Sequence, residues 1–206
     1  MENYAELMFQ DAVADLQRAN GSYDKYQTAY KHRTQDTLSP DDVAYIQQRD
    51  SFYIASVNAD GWPYIQHRGG ARGFLKVVNP TRLACADYHG NRQFVTMDNL
   101  KAEARVSLFL MDYMNHSRLK IQGRATLVPV DQADPALVAG LDTQAAPAER
   151  VLVIDVVAMD WNCPKYIPTL YPEDAIRQII GPQIGQLQAE NEALKAELEA
   201  LRKADD

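Results

Sequence analysis

The 206-residue chain is poor in cysteine, with only Cys85 and Cys163. Two thiols so far apart form neither the disulfide framework of a small secreted domain nor a metal cluster. The four histidines, His32, His67, His89 and His116, lack the helical two-histidine spacing of a metal site. Positive charge is not in excess: 21 Lys and Arg stand against 28 Asp and Glu, a net of -7. That excludes an electrostatic grip on a nucleic-acid backbone, so any bound anion must be small and held locally. No apolar run is long enough to cross a membrane, and no basic-then-apolar leader follows Met1. The expectation is a cytoplasmic protein with both thiols reduced, binding neither nucleic acid nor membrane. Internal repeats are absent, as is a G-x-G-x-x-G turn between a strand and a helix. What remains is globular in composition, 46% hydrophobic and 24% charged, so a core can form without covalent staples.

The apolar spacing divides the chain. Residues 3–19 carry a helical stripe of Tyr4, Met8, Ala12 and Leu16, flanked by Phe9 and Val13 and stopped by Asn20-Gly21. Residues 22–38 show no period. Ser39-Pro40 starts a short helix, with Ser39 as cap and Pro40 in the first turn. From Ser51 the period becomes two. Strands are expected at 52–57, 62–67, 74–78, 83–88, 106–113, 119–130 and 151–159, with Asp60-Gly61 in a hairpin turn. Residues 91–105 and 134–141 read as helical. Many strands joined by short turns, with few helices between them, indicate an antiparallel barrel: a mainly β chain with helices, of the α+β class. The expected organisation is an N-terminal helical segment 1–50, a barrel 51–168, and a C-terminal helix with a coiled-coil tail 169–206. Gly181-Pro182 is read as the boundary before that tail.

Three segments could carry chemistry. In Gln66-His67-Arg68-Gly69-Gly70 a strand ends in side-chain donors beside glycines, which allow a planar ligand close to the backbone. A β-bulge with solvated side chains is the plainer alternative. In Tyr88-His89-Gly90-Asn91-Arg92-Gln93, followed by Thr96 to Asn99, a glycine turn leads into a helix N-terminus. Its amides and Arg92 suit a phosphate. Ordinary capping by Asn91 or Asp98 is the alternative. Thr96 and Asn99 would share one face of that helix. In Asp160-Trp161-Asn162-Cys163-Pro164-Lys165, Trp161 could cover a ring, Asn162 bond its edge and Lys165 meet a phosphate, or Trp161 could simply plug a strand end. Cys85 reads as core, and Cys163 has no adjacent histidine to activate it.

Taken together, the blocks Tyr64-Ile65-Gln66-His67-Arg68-Gly69-Gly70, Gly90-Asn91-Arg92-Gln93 and Asp160-Trp161-Asn162-Cys163-Pro164 resemble the pyridoxamine 5′-phosphate oxidase-like family of FMN-binding split barrels. The likeness extends from Phe52 to Lys165. It implies a six-stranded antiparallel barrel and a homodimer with FMN at the subunit interface. It also implies that Gln66, His67, Arg68, Gly69 and Gly70 border the flavin ring. Asn91, Arg92, Gln93 and Asn99 would then serve the ribityl chain and phosphate. Trp161, Asn162 and Lys165 would close the pocket, from the same chain or its partner. The Arg-rich C-terminal motif of the founding oxidase is missing: beyond the barrel, the only arginines are Arg177 and Arg202. Fold and cofactor therefore carry over further than substrate. The expected function is an FMN-dependent oxidoreductase acting on a small redox substrate, with a flavin-binding or flavin-sensing module without turnover as the alternative.

The tail stands on its own pattern. Ile184, Leu187, Asn191, Leu194, Leu198 and Leu201 recur at alternating steps of three and four. This is a heptad seam with Ile184, Asn191 and Leu198 at a and with Leu187, Leu194 and Leu201 at d. Pro182 would start this helix, and a single amphipathic helix packed on its own barrel is the alternative.

Overall fold

The computed structural model describes residues 3–33, 36–141, 147–161 and 163–204. Seven strands form one sheet: β1 Ser51–Val57, β2 Pro63–Gly69, β3 Lys76–Asn79, β4 Arg82–Tyr88, β5 Arg105–Asp112, β6 Ser117–Pro129 and β7 Ala148–Trp161. Their order is β2-β1-β5-β6-β7-β4-β3, antiparallel throughout. The six strands implied by the family likeness are thus corrected to seven. The seven agree with the strands expected from alternation, including β3, a four-residue edge strand paired with β4.

The strands follow from alternation. β5 reads Arg-Val-Ser-Leu-Phe-Leu-Met-Asp, and Val106, Leu108 and Leu110 point into the core. β1 likewise sends Phe52, Ile54 and Ser56 inward. The near-continuous apolar run of β7 has another cause. β7 is central, paired with β6 on one side and β4 on the other. Its second face is covered by a smaller cluster with Leu137, Val138 and Leu141, so both faces require apolar side chains. Fully burying each large aliphatic in the main core contributes roughly 1.5–3 kcal/mol. At Gly123 the backbones approach closely: a Cβ there would lie 2.8 Å from Ile154 Cγ2 and 2.9 Å from the Asp155 carbonyl oxygen. The register of β6 on β7 shifts at that point.

The sheet curls. β2 and β4 are far apart in strand order, yet Arg68 of β2 makes an ion pair with Asp87 of β4. Side chains therefore bridge a split that backbone hydrogen bonds leave open. A helix borders the split: α5, Val95–Ala102, bonds β2 through Thr96 and β1 through Asn99.

The remaining helices, numbered in chain order, are α1 Tyr4–Met8, α2 Asp11–Asn20, α3 Tyr23–Tyr30, α4 Pro40–Gln47, α6 Pro135–Ala139 and α7 Glu173–Ala204. The single helix expected over 3–19 is two, broken at Phe9, whose ring packs edge-on against Tyr4, Tyr26 and Tyr30. Leu16 is exposed rather than part of a buried stripe. The segment without a period contains α3, held by these aromatic contacts rather than by an amphipathic face. The expected cap of α4 is present: Ser39 Oγ accepts from the Asp42 amide at 3.2 Å, and Asp42 Oδ2 from the Ser39 amide at 2.8 Å. Pro182 does not begin the last helix but lies inside α7, which is continuous. Proline removes the hydrogen bond to the carbonyl four residues earlier, yet the helix runs through that gap.

By compactness the chain divides into two units, residues 1–112 with 117–165, and residues 113–116 with 166–206. Among the described residues no helix is long and apolar enough to cross a membrane.

Candidate functional site

A cleft of about 320 Å³ opens where the barrel splits. β2 contributes Tyr64, Gln66, His67, Arg68 and Gly69; the end of β4 and the following loop contribute Asp87 to Phe94. The start of α5 and of β7 complete it, the latter with Glu149 and Arg150.

Strand geometry places the first group. Residues of β2 alternate, so Tyr64, Gln66 and Arg68 are half-buried on one face while Ile65 and His67 are exposed on the other. Gln66 Oε1 accepts from Thr96 Oγ1 at 2.9 Å, which fixes the amide. The Arg68 guanidinium is fixed by Asp87 Oδ1, and the second oxygen of Asp87 accepts from Arg150 Nε at 2.7 Å. Asp87 and Arg150 are direct cross-strand partners, a position where opposite charges attract. Arg150 also meets Glu149 at 3.0 Å, and Glu149 meets His89 Nδ1 at 2.7 Å. The hydrogen bond with His89 holds the Glu149 carboxyl below the usual carboxylate range; burial opposes this, and Arg150, His89 and Arg92 add smaller lowering effects.

Two groups have capacity left. Arg68 Nε is buried without a hydrogen-bond partner among the described residues. Arg92 makes no ion pair among the described residues. Counting side chains on the cleft, Arg68, Arg92 and Arg150 oppose Asp87 and Glu149, so one formal positive charge is in excess with histidines neutral.

The second block departs from expectation. Asn91, Arg92 and Gln93 precede the helix instead of opening it, because α5 begins only at Val95. Asn91 Oδ1 accepts from the Gln93 amide at 3.2 Å in the loop, not as a helix cap. Arg92 and Phe94 have positive φ, 61° and 56°. Such backbone is uncommon outside glycine and collects at functional sites.

The other expected residues lie differently. Thr96 and Asn99 do share a buried face of α5, but Asn99 donates to Ser56 Oγ at 2.9 Å and does not line the cleft. Gly70 is off the cleft too. A Cβ there would meet Phe74 at 2.8 Å, so close packing accounts for that glycine. Trp161 is turned toward α4: its Nε1 donates to Asp42 Oδ1 at 2.8 Å and its ring stands edge-on to Tyr45, 4.6 Å between centroids. Lys165 and Cys163 are exposed and off the cleft. Asn162 lies outside the described residues. Cys85 is fully buried, and burial pushes its thiol up to about 12, so it is no nucleophile. Among the described residues no group of three His, Cys, Asp or Glu is placed to hold a metal.

The sequence reading missed Asp87, Glu149 and Arg150. The available signal was the register of β4 on β7, which sets Asp87 opposite Arg150 although they are distant in the chain. A second cleft, lined by Ser56, Asn58, Arg105, Ser107 and Gln122, offers less for an anion, because its one arginine is already paired with Glu103 at 2.6 Å.

A curled antiparallel sheet with an arginine-bearing cleft at its split defines a split barrel suited to a small anionic ligand. A sequence model of the pyridoxamine 5′-phosphate oxidase family matches residues 38–162, and the chain belongs to that family. A Lactobacillus delbrueckii structure described provisionally as a pyridoxamine 5′-phosphate oxidase has the same fold. The TM-score is 0.50 at 19% identity, covering 62% of this chain and 97% of that one. An FMN-binding protein from Syntrophomonas wolfei aligns with TM-score 0.41 at 13% identity, over 72% of this chain and 97% of that one. A protein described as an F420 reductase aligns with TM-score 0.43 at 19% identity, over 59% and 98%. No curated protein matches the chain by sequence.

Proposed function

We propose that this protein is an FMN-dependent oxidoreductase acting on a small redox substrate, and that it binds FMN in the split-barrel cleft as a homodimer. One observation carries the reading. The cleft unites two blocks from separate elements, Gln66 to Gly69 and Asn91 to Gln93, around a surplus of positive charge.

The residues fit the cofactor. A phosphate monoester takes guanidinium groups in a bidentate fork, and Arg92 is the cleft arginine without an ion pair. The buried Arg68 Nε–H is a donor awaiting an acceptor, and a buried donor left unsatisfied costs about 1–3 kcal/mol. Gln66, Asn91 and Gln93 supply amides that both donate and accept, as a pyrimidine edge and a hydroxylated chain require. Phe94, Val95, Met97 and Leu127 supply apolar contact. The volume lies near the lower end of small-molecule sites, roughly 300–1,000 Å³, so one chain encloses only part of a flavin nucleotide. A second copy laid over the cleft would complete the enclosure, which supports the homodimer.

Bound FMN supplies two-electron transfer by its own ring chemistry. The chain binds, orients and sets the field. Asp87 holds Arg68 and Arg150 in place, so positive charge faces whichever ligand edge gains electron density. Thr96 holds the Gln66 amide in one orientation.

The test is spectroscopic. The purified protein should be yellow, and heating should release FMN rather than FAD. Reduction of the bound flavin by NADH or NADPH and its reoxidation in air would establish turnover. A colourless protein that leaves added FMN fluorescence unquenched would sink the cofactor assignment. A yellow protein inert to both nucleotides and to small organic reductants would leave a flavin-binding module without turnover.

A further inference from the structure

α7 is a continuous helix of 32 residues, about 48 Å long. One stripe along it is apolar and open: Ile184, Leu187, Leu194, Leu198 and Leu201 are each half exposed or more, between 50% and 64%. The structure extends the stripe one step upstream, because Ile180 falls at the preceding d position and is also exposed. Pro182 then occupies an f position, on the outside of a seam, where its ring and missing N–H disturb no packing between helices. A lone helix with such a stripe gains little by exposing it; burying large aliphatics drives association.

The charges identify the occupant. In this register Glu190 and Glu197 take g positions, while Lys195 and Arg202 take e positions. When two copies lie parallel and in register, Glu190 faces Lys195 of the other copy and Glu197 faces Arg202, twice over by symmetry. Antiparallel copies would set Glu against Glu and Lys or Arg against Lys or Arg. Asn191 at a points the same way: in a parallel pair it meets its own copy and the two amides bond. Antiparallel pairing would instead bury it against leucine. Leucine at every d position from Leu187 onward fits two strands.

We propose that α7 pairs with α7 of a second copy of this chain as a parallel, in-register, two-stranded coiled coil running from Ile180 to Leu201. The pairing is independent of the flavin reading and survives its failure. Three to four heptads make a modest zipper, so the strands hold best where another contact keeps the two copies together.

Full-length chains carrying Leu201→Cys test it, with Cys163→Ser to silence the exposed native thiol. Air oxidation should link two copies rapidly through the introduced thiols. Two charge-reversed versions follow, Glu190→Lys with Glu197→Lys, and Lys195→Glu with Arg202→Glu. Each alone turns four attractive pairs into repulsive ones and should slow crosslinking about tenfold or more. Mixed in equal amounts and unfolded and refolded together, the two should regain the original rate and give mainly the mixed product, told apart by a tag. No crosslink, or a rate indifferent to charge, overturns the proposal. So does crosslinking of Leu201→Cys only to Ile184→Cys, because antiparallel pairing would hold the two 201 positions about 25 Å apart.

Discussion

Around Asp36, Asp42 and Asp160 the barrel's carboxylates meet donors from several elements. Asp36 Oδ2 accepts from the amides of Tyr4 and Met159 at 2.8 and 3.0 Å, while its other oxygen makes no hydrogen bond and is met only by the charge of Arg33 at 3.1 Å. Asp42 accepts from Ser39 and from Trp161. Asp160 takes the Tyr30 hydroxyl and lies 3.3 Å from Lys120. Around Asp87 both oxygens of the acid are hydrogen-bonded, yet the arginines are not fully used: Arg68 Nε has no partner and Arg92 no ion pair among the described residues. Both regions look alike as strings of charged residues. The first ties N-terminal segments to β7 and α4, and its donors go to the protein itself. The second keeps donors over, beside open volume. Arg118 Nε is likewise buried without a partner but lies off the cleft, so it is unused donors beside open volume, not charge as such, that separate a binding cleft from a structural brace.

The sharpest way to break this comparison is to disable the brace. Asp36→Ala removes the acceptor for two backbone amides and an ion pair in a buried place. It should cost about 3–4 kcal/mol of unfolding free energy, read from urea denaturation. A loss under about 1 kcal/mol would mean that Asp36 is as replaceable as a surface acid.

The cleft should respond in the opposite manner. Arg92→Ala should change stability by no more than about 0.5 kcal/mol, as at an exposed position. It should weaken FMN binding by about 1.5–3 kcal/mol, roughly 10- to 100-fold, through loss of a charge-assisted contact. Riboflavin, which lacks the phosphate, should lose much less. Equal losses for the two ligands in fluorescence titrations would move Arg92 away from the phosphate.

Much of the barrel is visible in the sequence because alternation reports a half-buried strand directly. Phe52, Ile54, Val106, Leu108 and Leu110 announce their faces before any coordinates exist. The two central groups of the candidate site were visible as blocks because Gln, Arg and Gly cluster there. Three things were hidden, each for a physical reason. Asp87 and Arg150 meet only through the register of β4 on β7, a long-range pairing that no local window contains. Phe94 has a left-handed backbone, which delays the helix past Asn91, Arg92 and Gln93 although their composition suits a helix start. Pro182 is tolerated within α7, where local rules would end or begin a helix. Asn99 and Trp161 were legible as polar groups near a site, but their partners, Ser56 and Asp42, lie on other elements.

Alkaline titration sharpens the comparison from the brace's side. The Tyr45 hydroxyl lies 3.1 Å from the carbonyl oxygens of both Leu110 and Ser117. Burial pushes it up to about 12, against a partial lowering by Arg49. Unfolded tyrosine titrates near 10. Between those values the folded chain holds more protons than the unfolded one, so stability falls as pH rises. The contribution is complete below pH ~10 and lost above ~12. The side chain is partly solvated, so the full shift is discounted to about 1–2 kcal/mol. Tyr45→Phe should flatten the stability profile over this window. An unchanged slope would assign the alkaline loss to Tyr30 or Cys85, which are also raised by burial.

Trp161 is where the two regions are most easily confused, and the smallest effect decides it. The family likeness would have Trp161 close the flavin pocket, whereas within one chain its indole N–H is bound to Asp42 and its ring leans on Tyr45. Trp161→Phe keeps an aromatic ring against Tyr45 while deleting the indole N–H together with part of the bicycle. Asp42, itself buried, then loses its one donor on Oδ1 and keeps Ser39 on Oδ2. If Trp161 belongs to the brace, stability should drop by about 1 kcal/mol, the usual net worth of one hydrogen bond, with FMN affinity unchanged. If the tryptophan of one copy reaches the cleft of the other, the order reverses: FMN affinity should fall several-fold while the unfolding midpoint without flavin hardly moves. Measuring both quantities on the same variant assigns Trp161 to one region or the other, because a role in the brace lowers stability even without ligand and a role in the cleft does not.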